Sequence, residues 1–217
     1  EVLETAKKNN ASMVYLSSME EYGVPYNPGE VMTEDKVGVI DHLNVRSSYS
    51  ESKRLCECLC ASYASEYGVD VKIARLAQTV GAGVPLTDNR MPMQFARAVV
   101  EEKDIVLHTE GRSVSNFVYL SDALKGILLL VENGEAGQAY NVCNDKETRS
   151  VREIAELVSR DVAGGTIKVV VERKECMGYA PDNTMRLNTD KLRGLGWIAD
   201  VGMVEAYRRL VEYLRDE

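Results

Sequence analysis

The sequence predicts an α/β protein built on a parallel sheet, and two observations carry the prediction. "SMVYLSS" (12–18) is a short apolar run ending in serines, the look of a strand buried on both faces. Helical patterns at 1–8 and 49–67 alternate with strands at 12–17 and 70–76, and such alternation builds parallel sheets through right-handed crossovers.

Taken in order, "EVLETAKKNN" puts Val2, Leu3 and Ala6 on one helical face. It opens without a cap, so further chain is expected upstream. "EYGVPYNPGE" is a loop by its Gly and Pro punctuation, and residues 31–48 read as irregular, with at most a short helix. In the helix 49–67, Leu55, Leu59, Ser62 and Tyr63 share a face, and Gly68 stops it. After "GAGVP" the character changes. A helix is expected at 91–103 with Pro92 in its first turn, then strands "DIVLH" and "SNFVYL". "SDALKGILLLVENG" reads as a helix capped by Ser121 or Asp122, followed by the strand "AYNVCN". "TRSVREIAELVSRDVAGG" is amphipathic, and Ser150 with Glu153 three residues on forms a capping box. "TIKVVVE" is a strand, "NTDKLRGLGW" a short helix closed by Gly194 or Gly196, and "VGMVEAYRRLVEYLRDE" the last helix.

The 217 residues are 45% hydrophobic and 28% charged, the balance of a globular protein, and the net charge is −8. That acidity argues against nucleic-acid binding, which needs a basic face. No apolar run reaches a membrane span; the longest, 127–131, reads as a helix core segment. No signal-peptide pattern is present. Five cysteines are an odd count. Cys56 and Cys60 share a helical face while Cys58 points away, which is not a metal-ligand spacing. They are expected to be reduced structural thiols, with a cytoplasmic location and no metal.

Three polar elements converge if the strands are parallel neighbours. Ser17 and Ser18 end one strand, Tyr49 and Lys53 lie four apart on the following helix, and Gly81 and Gly83 follow the next strand. Ligands of open α/β sheets bind at these carboxyl ends. Most Tyr/Lys pairs of this spacing are merely solvated neighbours; the convergence sets this one apart.

The Y-x-x-x-K run Tyr49–Lys53, preceded by "VYLSSMEEYG" and followed by "IARLAQTVGAG", resembles the extended short-chain dehydrogenase/reductases, the NAD-dependent epimerases, dehydratases and decarboxylases of nucleotide sugars. "NFVYLSDALKGILLL", "AYNVCN" and "TDKLRGLGW" are similar to later landmarks of that family, so the resemblance covers essentially the whole chain. It implies a Rossmann-like doubly wound parallel sheet whose N-terminal half is truncated, with a smaller C-terminal α/β substrate domain. Residues 1–80 would be the later part of the dinucleotide-binding domain. Residues 81–217 would be mostly substrate domain, with about 104–142 returning to the Rossmann sheet. The family's G-x-x-G-x-x-G turn, which holds the pyrophosphate, is absent from these residues.

The resemblance implies that Tyr49 takes the proton of the sugar C4 hydroxyl while hydride leaves for NAD, or for NADP. A lysine ammonium and an oxidised nicotinamide both favour the phenolate. Lys53 would also bond the nicotinamide ribose, Ser18 the reacting hydroxyl, with Ser17 as the slip-by-one alternative. Ser17 and Leu76 would adjoin the cofactor and Gln78 the substrate, where the family has Asn. Met19-Glu20 stands where the 4,6-dehydratases carry Asp-Glu; Met donates no proton, so dehydration is disfavoured and Glu20 remains as acid or base. Ser-Met-Glu is closer to the Thr-Ser-Glu of UDP-glucuronate decarboxylases. The arginine expected before an Asp-Phe pair is replaced in Ser115-Asn116-Phe117, leaving Arg90 or Arg112 to meet a diphosphate.

Tyr22, Tyr26 and Tyr119 read as packing or rim residues, Asp122 as a structural cap, Trp197 as core, and His42 and His108 as bystanders. Two other functions compete: a non-catalytic nucleotide- or sugar-binding regulatory module on the same fold, and a simple NADP carbonyl reductase. The Ser/Tyr/Lys set speaks against the first and the landmarks after residue 110 against the second. A homodimer through helix 49–67 is expected, its outer face carrying small Cys58 and Ala61.

Overall fold

The computed structural model describes residues 1–173 and 182–216. Its elements run α1 (Val2–Asn9), β1 (Met13–Ser18), β2 (Val31–Met32), α2 (Ser48–Tyr67), β3 (Val71–Leu76) and β4 (Gln78–Val80). There follow α3 (Met91–Val100), β5 (Ile105–Leu107), β6 (Val114–Tyr119), α4 (Leu120–Asn133), β7 (Ala139–Val142) and β8 (Asn144–Ser150). The chain continues with α5 (Val151–Leu157), β9 (Val169–Val171), β10 (Arg186–Leu187), α6 (Asp190–Arg193) and α7 (Met203–Asp216). Glu217 and Cys176, the latter counted among the structural thiols, lie outside the described residues.

The main sheet is parallel in the order β1-β3-β7, with Met13 opposite Val71 and Ile73 opposite Ala139. The alternation of β3 explains its two helical layers. Val71 and Ile73 face α1 and α2, joining Ala6 and Cys60 in one core. Ala74 and Leu76 face the other way, joining Ala123 and Leu130 of α4. Of the span 104–142, only β7 returns to this sheet. β5 pairs with β9, and β6 lies between β4 and β8. That second region closes over α3, α5 and α7, where Phe95, Ile154, Tyr207 and Leu210 are buried.

Several expectations are corrected. The face of α2 with Leu55 and Leu59 is not the buried one: they are 62% and 43% exposed, while Glu57 and Cys60 point inward. Charge on β3 explains this, because Arg75 is buried and draws Glu57 under the helix. Cys60 and Cys143 are buried, but Cys58 is exposed on the outer face of α2. Neither Ser121 nor Asp122 caps α4, whose N-cap is Tyr119. Asp122 is buried instead, and its carboxylate accepts the backbone N–H groups of Asp200 and Val201, while Trp197 donates to its carbonyl. Within 127–131 only Leu130 is fully buried; Leu124, Leu128 and Val131 form an exposed stripe with Leu120. The capping box at Ser150 and Glu153 is present.

The long loop between β1 and α2 is ordered by backbone contact. Val24 bridges Val39, and this approach requires Gly23 (φ 68°) and Gly38, since a Cβ on either would collide with the opposite carbonyl. Arg54 then fastens the loop to α2, donating to the carbonyls of Glu21, Tyr22 and Gly38 at 2.7, 3.1 and 2.9 Å.

Candidate active site

A cleft of about 750 Å³ opens at the carboxyl ends of β1 and β3. Ser17, Ser18, Glu20, Tyr49, Leu76 and Gln78 all line it, so the fold gathers residues as far apart in sequence as Ser17 and Gln78. Lys53 stands one helical turn beyond Tyr49. Its ammonium donates to the Leu16 carbonyl at 2.8 Å and lies 5.6 Å from the centre of the Tyr49 ring.

The two serines are separated by strand alternation. Ser17 is buried and its hydroxyl donates to Glu57 beneath α2. Ser18 ends the strand, and its Oγ accepts the Glu20 N–H at 3.2 Å, starting the turn Met19–Tyr22. Ser18 therefore keeps its hydroxyl proton available in the cleft, whereas that of Ser17 is committed. Tyr49 is half exposed at the rim.

Under the serines lies a buried charge cluster. Arg75 donates to Glu57 through Nε and Nη2, at 2.7 Å for the latter, and to the Tyr22 hydroxyl at 2.8 Å. Tyr22 donates onward to Asn141 at 2.9 Å. Glu21 Oε1 is 3.0 Å from Arg75 Nε, but that N–H is aimed at Glu57, so the oxygen has a charge partner and no hydrogen bond. Burial pushes the Glu21 carboxyl up to about 7; Arg75 opposes this and the like charge of Glu57 adds to it. Burial also raises the Tyr22 phenol, which stays neutral. The cluster is structural: it fixes Ser17 and hence the end of β1.

Met19 is buried, and the Ser115 hydroxyl rests on its sulfur at 3.4 Å. The position where an arginine was expected thus packs against the methionine that replaces an acid. Of the two substitutes, Arg90 lines the cleft, paired with Asp88 at 2.5 Å, whereas Arg112 is exposed and is not among the lining residues. Tyr26 is exposed, and Tyr119 lies 5.3 Å from the Arg209 guanidinium. The sequence reading missed Arg46, which also lines the cleft; the available signal was a basic residue three positions before Tyr49.

The profile of the NAD dependent epimerase/dehydratase family matches residues 1–143. The chain belongs to that family. Among its curated relatives, UDP-glucuronic acid decarboxylase 1 of Xenopus tropicalis is 28% identical over all of this chain and 50% of its own length. UDP-glucuronic acid decarboxylase 6 of Arabidopsis thaliana is 29% identical over 99% of the chain and 60% of its own length. The chain thus spans about half the length of the curated relatives it matches. The fold is shared with the UDP-glucose 4-epimerase of Thermotoga maritima (TM-score 0.82, 20% identity, 99% of this chain and 67% of that one). It is equally shared with the dTDP-glucose 4,6-dehydratase of Bacillus anthracis (TM-score 0.82, 18% identity, 99% and 65%). The Rossmann-type α/β architecture of the epimerase/dehydratase family is therefore the architecture of this chain. Among the described residues no helix is long and apolar enough to cross a membrane.

Proposed function

We propose that these residues form the catalytic and sugar-binding part of an NAD-dependent nucleotide-sugar enzyme that oxidises a sugar C4 hydroxyl, with decarboxylation or epimerisation favoured over 4,6-dehydration. The observation that carries the reading is the shared cleft of Ser18, Glu20, Tyr49 and Gln78, with Lys53 held beside Tyr49 by the Leu16 carbonyl.

The residues present fit the nicotinamide end of a dinucleotide. Tyr49 and Ser17 border the carboxyl end of β1, Leu76 supplies an apolar wall, and the Lys53 ammonium is presented at the strand edge. When bound, the nicotinamide accepts the C4 hydride and can return it. The chain's own residues handle the proton. Tyr49 Oη accepts it from the C4 hydroxyl, and the Ser18 hydroxyl hydrogen-bonds the same oxygen. The Lys53 ammonium lies 5.6 Å from the centre of the Tyr49 ring, a positive charge beside the proton-handling group. The resulting 4-keto uronate is a β-keto acid: its C5–C6 bond breaks, the electron pair moves to the C4 oxygen, and C5 takes a proton. Glu20, which lines the cleft, is the candidate for that acid, and Met19 offers none.

The test is turnover of the intact gene product with NAD and a panel of UDP-, dTDP-, GDP- and CDP-sugars, followed by mass spectrometry. Loss of carbon dioxide, loss of water and no mass change separate the three outcomes. Tyr49→Phe is expected to lower kcat by about 10²–10⁴-fold. Retained NAD without turnover of any sugar would favour the non-catalytic binding module instead.

A further inference from the structure

We propose that Tyr15 is a positioning residue for the lysine of the site: its ring face and the Leu16 carbonyl together hold the Lys53 ammonium beside Tyr49 without cancelling its charge. The inference rests on the nucleotide-sugar reading above and deepens it at the cofactor end. Side chains alternate along β1, so Tyr15 and Ser17 share the face turned to α2. Tyr15 packs there against the core that holds Cys60 and Ile73. Lys53 reaches down from α2 to this strand. Its ammonium donates to the Leu16 carbonyl at 2.8 Å and lies 5.1 Å from the centre of the Tyr15 ring and 5.6 Å from that of Tyr49. Both rings are close enough to attract an ammonium through their π faces.

One hydrogen bond fixes a distance and leaves direction open, and the four-carbon stem of a lysine is flexible. The ring contact removes that freedom. Tyr15 and Leu16 are consecutive residues of β1, whose end also carries Ser18. The ammonium is therefore referenced to the same strand as Ser18, although Lys53 belongs to the helix of Tyr49. Both anchors are neutral. A carboxylate in their place would hold the lysine too, but it would offset the charge; a carbonyl and a ring face orient the ammonium and leave it positive. The Tyr15 ring also stays neutral. Burial raises its phenol well above the ordinary value, and the Cys56 thiol adds to this. Of the two phenols beside Lys53, Tyr15 is thus kept out of proton transfer, and Tyr49 is the half-exposed one that lines the cleft.

Under the reading above Lys53 meets the nicotinamide ribose, so NAD affinity reports where the ammonium is held. The experiment is isothermal titration of NAD into the intact gene product, with no sugar present. Tyr15→Leu is expected to weaken NAD binding about 2- to 5-fold, the loss of one ring–ammonium contact. Tyr15→Phe keeps the ring and should keep the unmodified affinity. In a Lys53→Met background Tyr15→Leu should change nothing further, because the ring acts through the ammonium. Tyr15→Met is run beside Tyr15→Leu, so that a folding defect of one side chain does not decide the outcome. An equal loss with and without Lys53 overturns the inference and makes Tyr15 a packing residue. Tyr15→Phe as weak as Tyr15→Leu overturns it by moving the role to the hydroxyl, and no loss in either background overturns it as well. Each of these outcomes leaves the nucleotide-sugar reading standing, since no sugar is used. An unmodified gene product that binds no NAD removes that reading and the inference with it.

Discussion

The two halves of this molecule are held together by different physics. Around β1 and β3 the apolar packing encloses a polar cluster: Ser17, Glu57, Arg75, Glu21, Tyr22 and Asn141 are all buried and linked. Around α3, α5 and α7 the interior is apolar, with Phe95, Ile154, Val158, Met203 and Leu210 among its members. Apolar packing is tolerant of direction, whereas a charge cluster demands particular geometry. The site's Ser18, Tyr49 and Lys53 rise from the demanding half, while Met91, Met93 and Leu210 of the apolar half complete the cleft. The polar interior contributes little net stability and much positional definition to the end of β1, and the apolar half supplies the cohesion.

The largest effect should come from breaking the charge cluster on one side. Arg75→Met leaves Glu57 and Glu21 buried without their cation and should cost about 3–5 kcal/mol. The double variant Arg75→Met, Glu57→Gln should recover much of that loss. Denaturant midpoints decide this, and an additive double variant would mean that the cluster is not a unit. Ile154→Ala, in the apolar half, should cost a similar 2–5 kcal/mol while leaving NAD and sugar binding intact in the folded fraction. If it disturbs binding as much as Arg75→Met does, the division of labour between the halves is wrong.

A smaller effect is a pH dependence confined to the polar half. Glu21 is raised to about 7 by burial, so the folded chain holds a proton that the unfolded chain releases above the ordinary value of 4.5. Its contribution is fully present below 4.5 and is lost as pH rises through about 7. Glu21→Gln should flatten this slope and stabilise the chain at pH 8 by on the order of 2 kcal/mol. Unfolding curves at pH 4.5, 6, 7 and 8 measure it, and parallel pH profiles for the two proteins would refute the assignment. The smallest effect belongs to the apolar half. Ser150→Ala removes the capping box of α5 and should cost about 1 kcal/mol, independent of pH above the carboxylate range, as read from a shifted melting temperature.

The same division explains what could be read from the sequence. α2, β1, β3 and the α5 capping box were legible because period, cap and stop residues are local signals. The strands β2 and β10, two residues each, exist only because they pair with one another across more than 150 positions. The inward turn of Glu57 was hidden for a related reason. A Glu on a helix reads as solvated until the Arg75 eighteen positions later is known to lie beneath it. The cleft position of Ser18 and Tyr49, with Lys53 beside them, could be read from strand end and spacing. Arg46 could not, since it reaches the cleft through a three-residue turn that carries no periodic signal. Asp122 was misread as a cap because its partners, Asp200 and Val201, lie in a distant loop.

Arg54 has a consequence for motion. One guanidinium ties Glu21, Tyr22 and Gly38 to the helix residue that directly follows Lys53. The segment carrying Glu20 and the end of α2 carrying Tyr49 are thereby geared: neither can swing without dragging the other. A substrate that draws Tyr49 inward would pull Glu20 with it, so the proton-handling groups on both elements would arrive together. Disengaging that gear at Arg54 should let amide exchange in 19–39 quicken while α2 stays as slow as before.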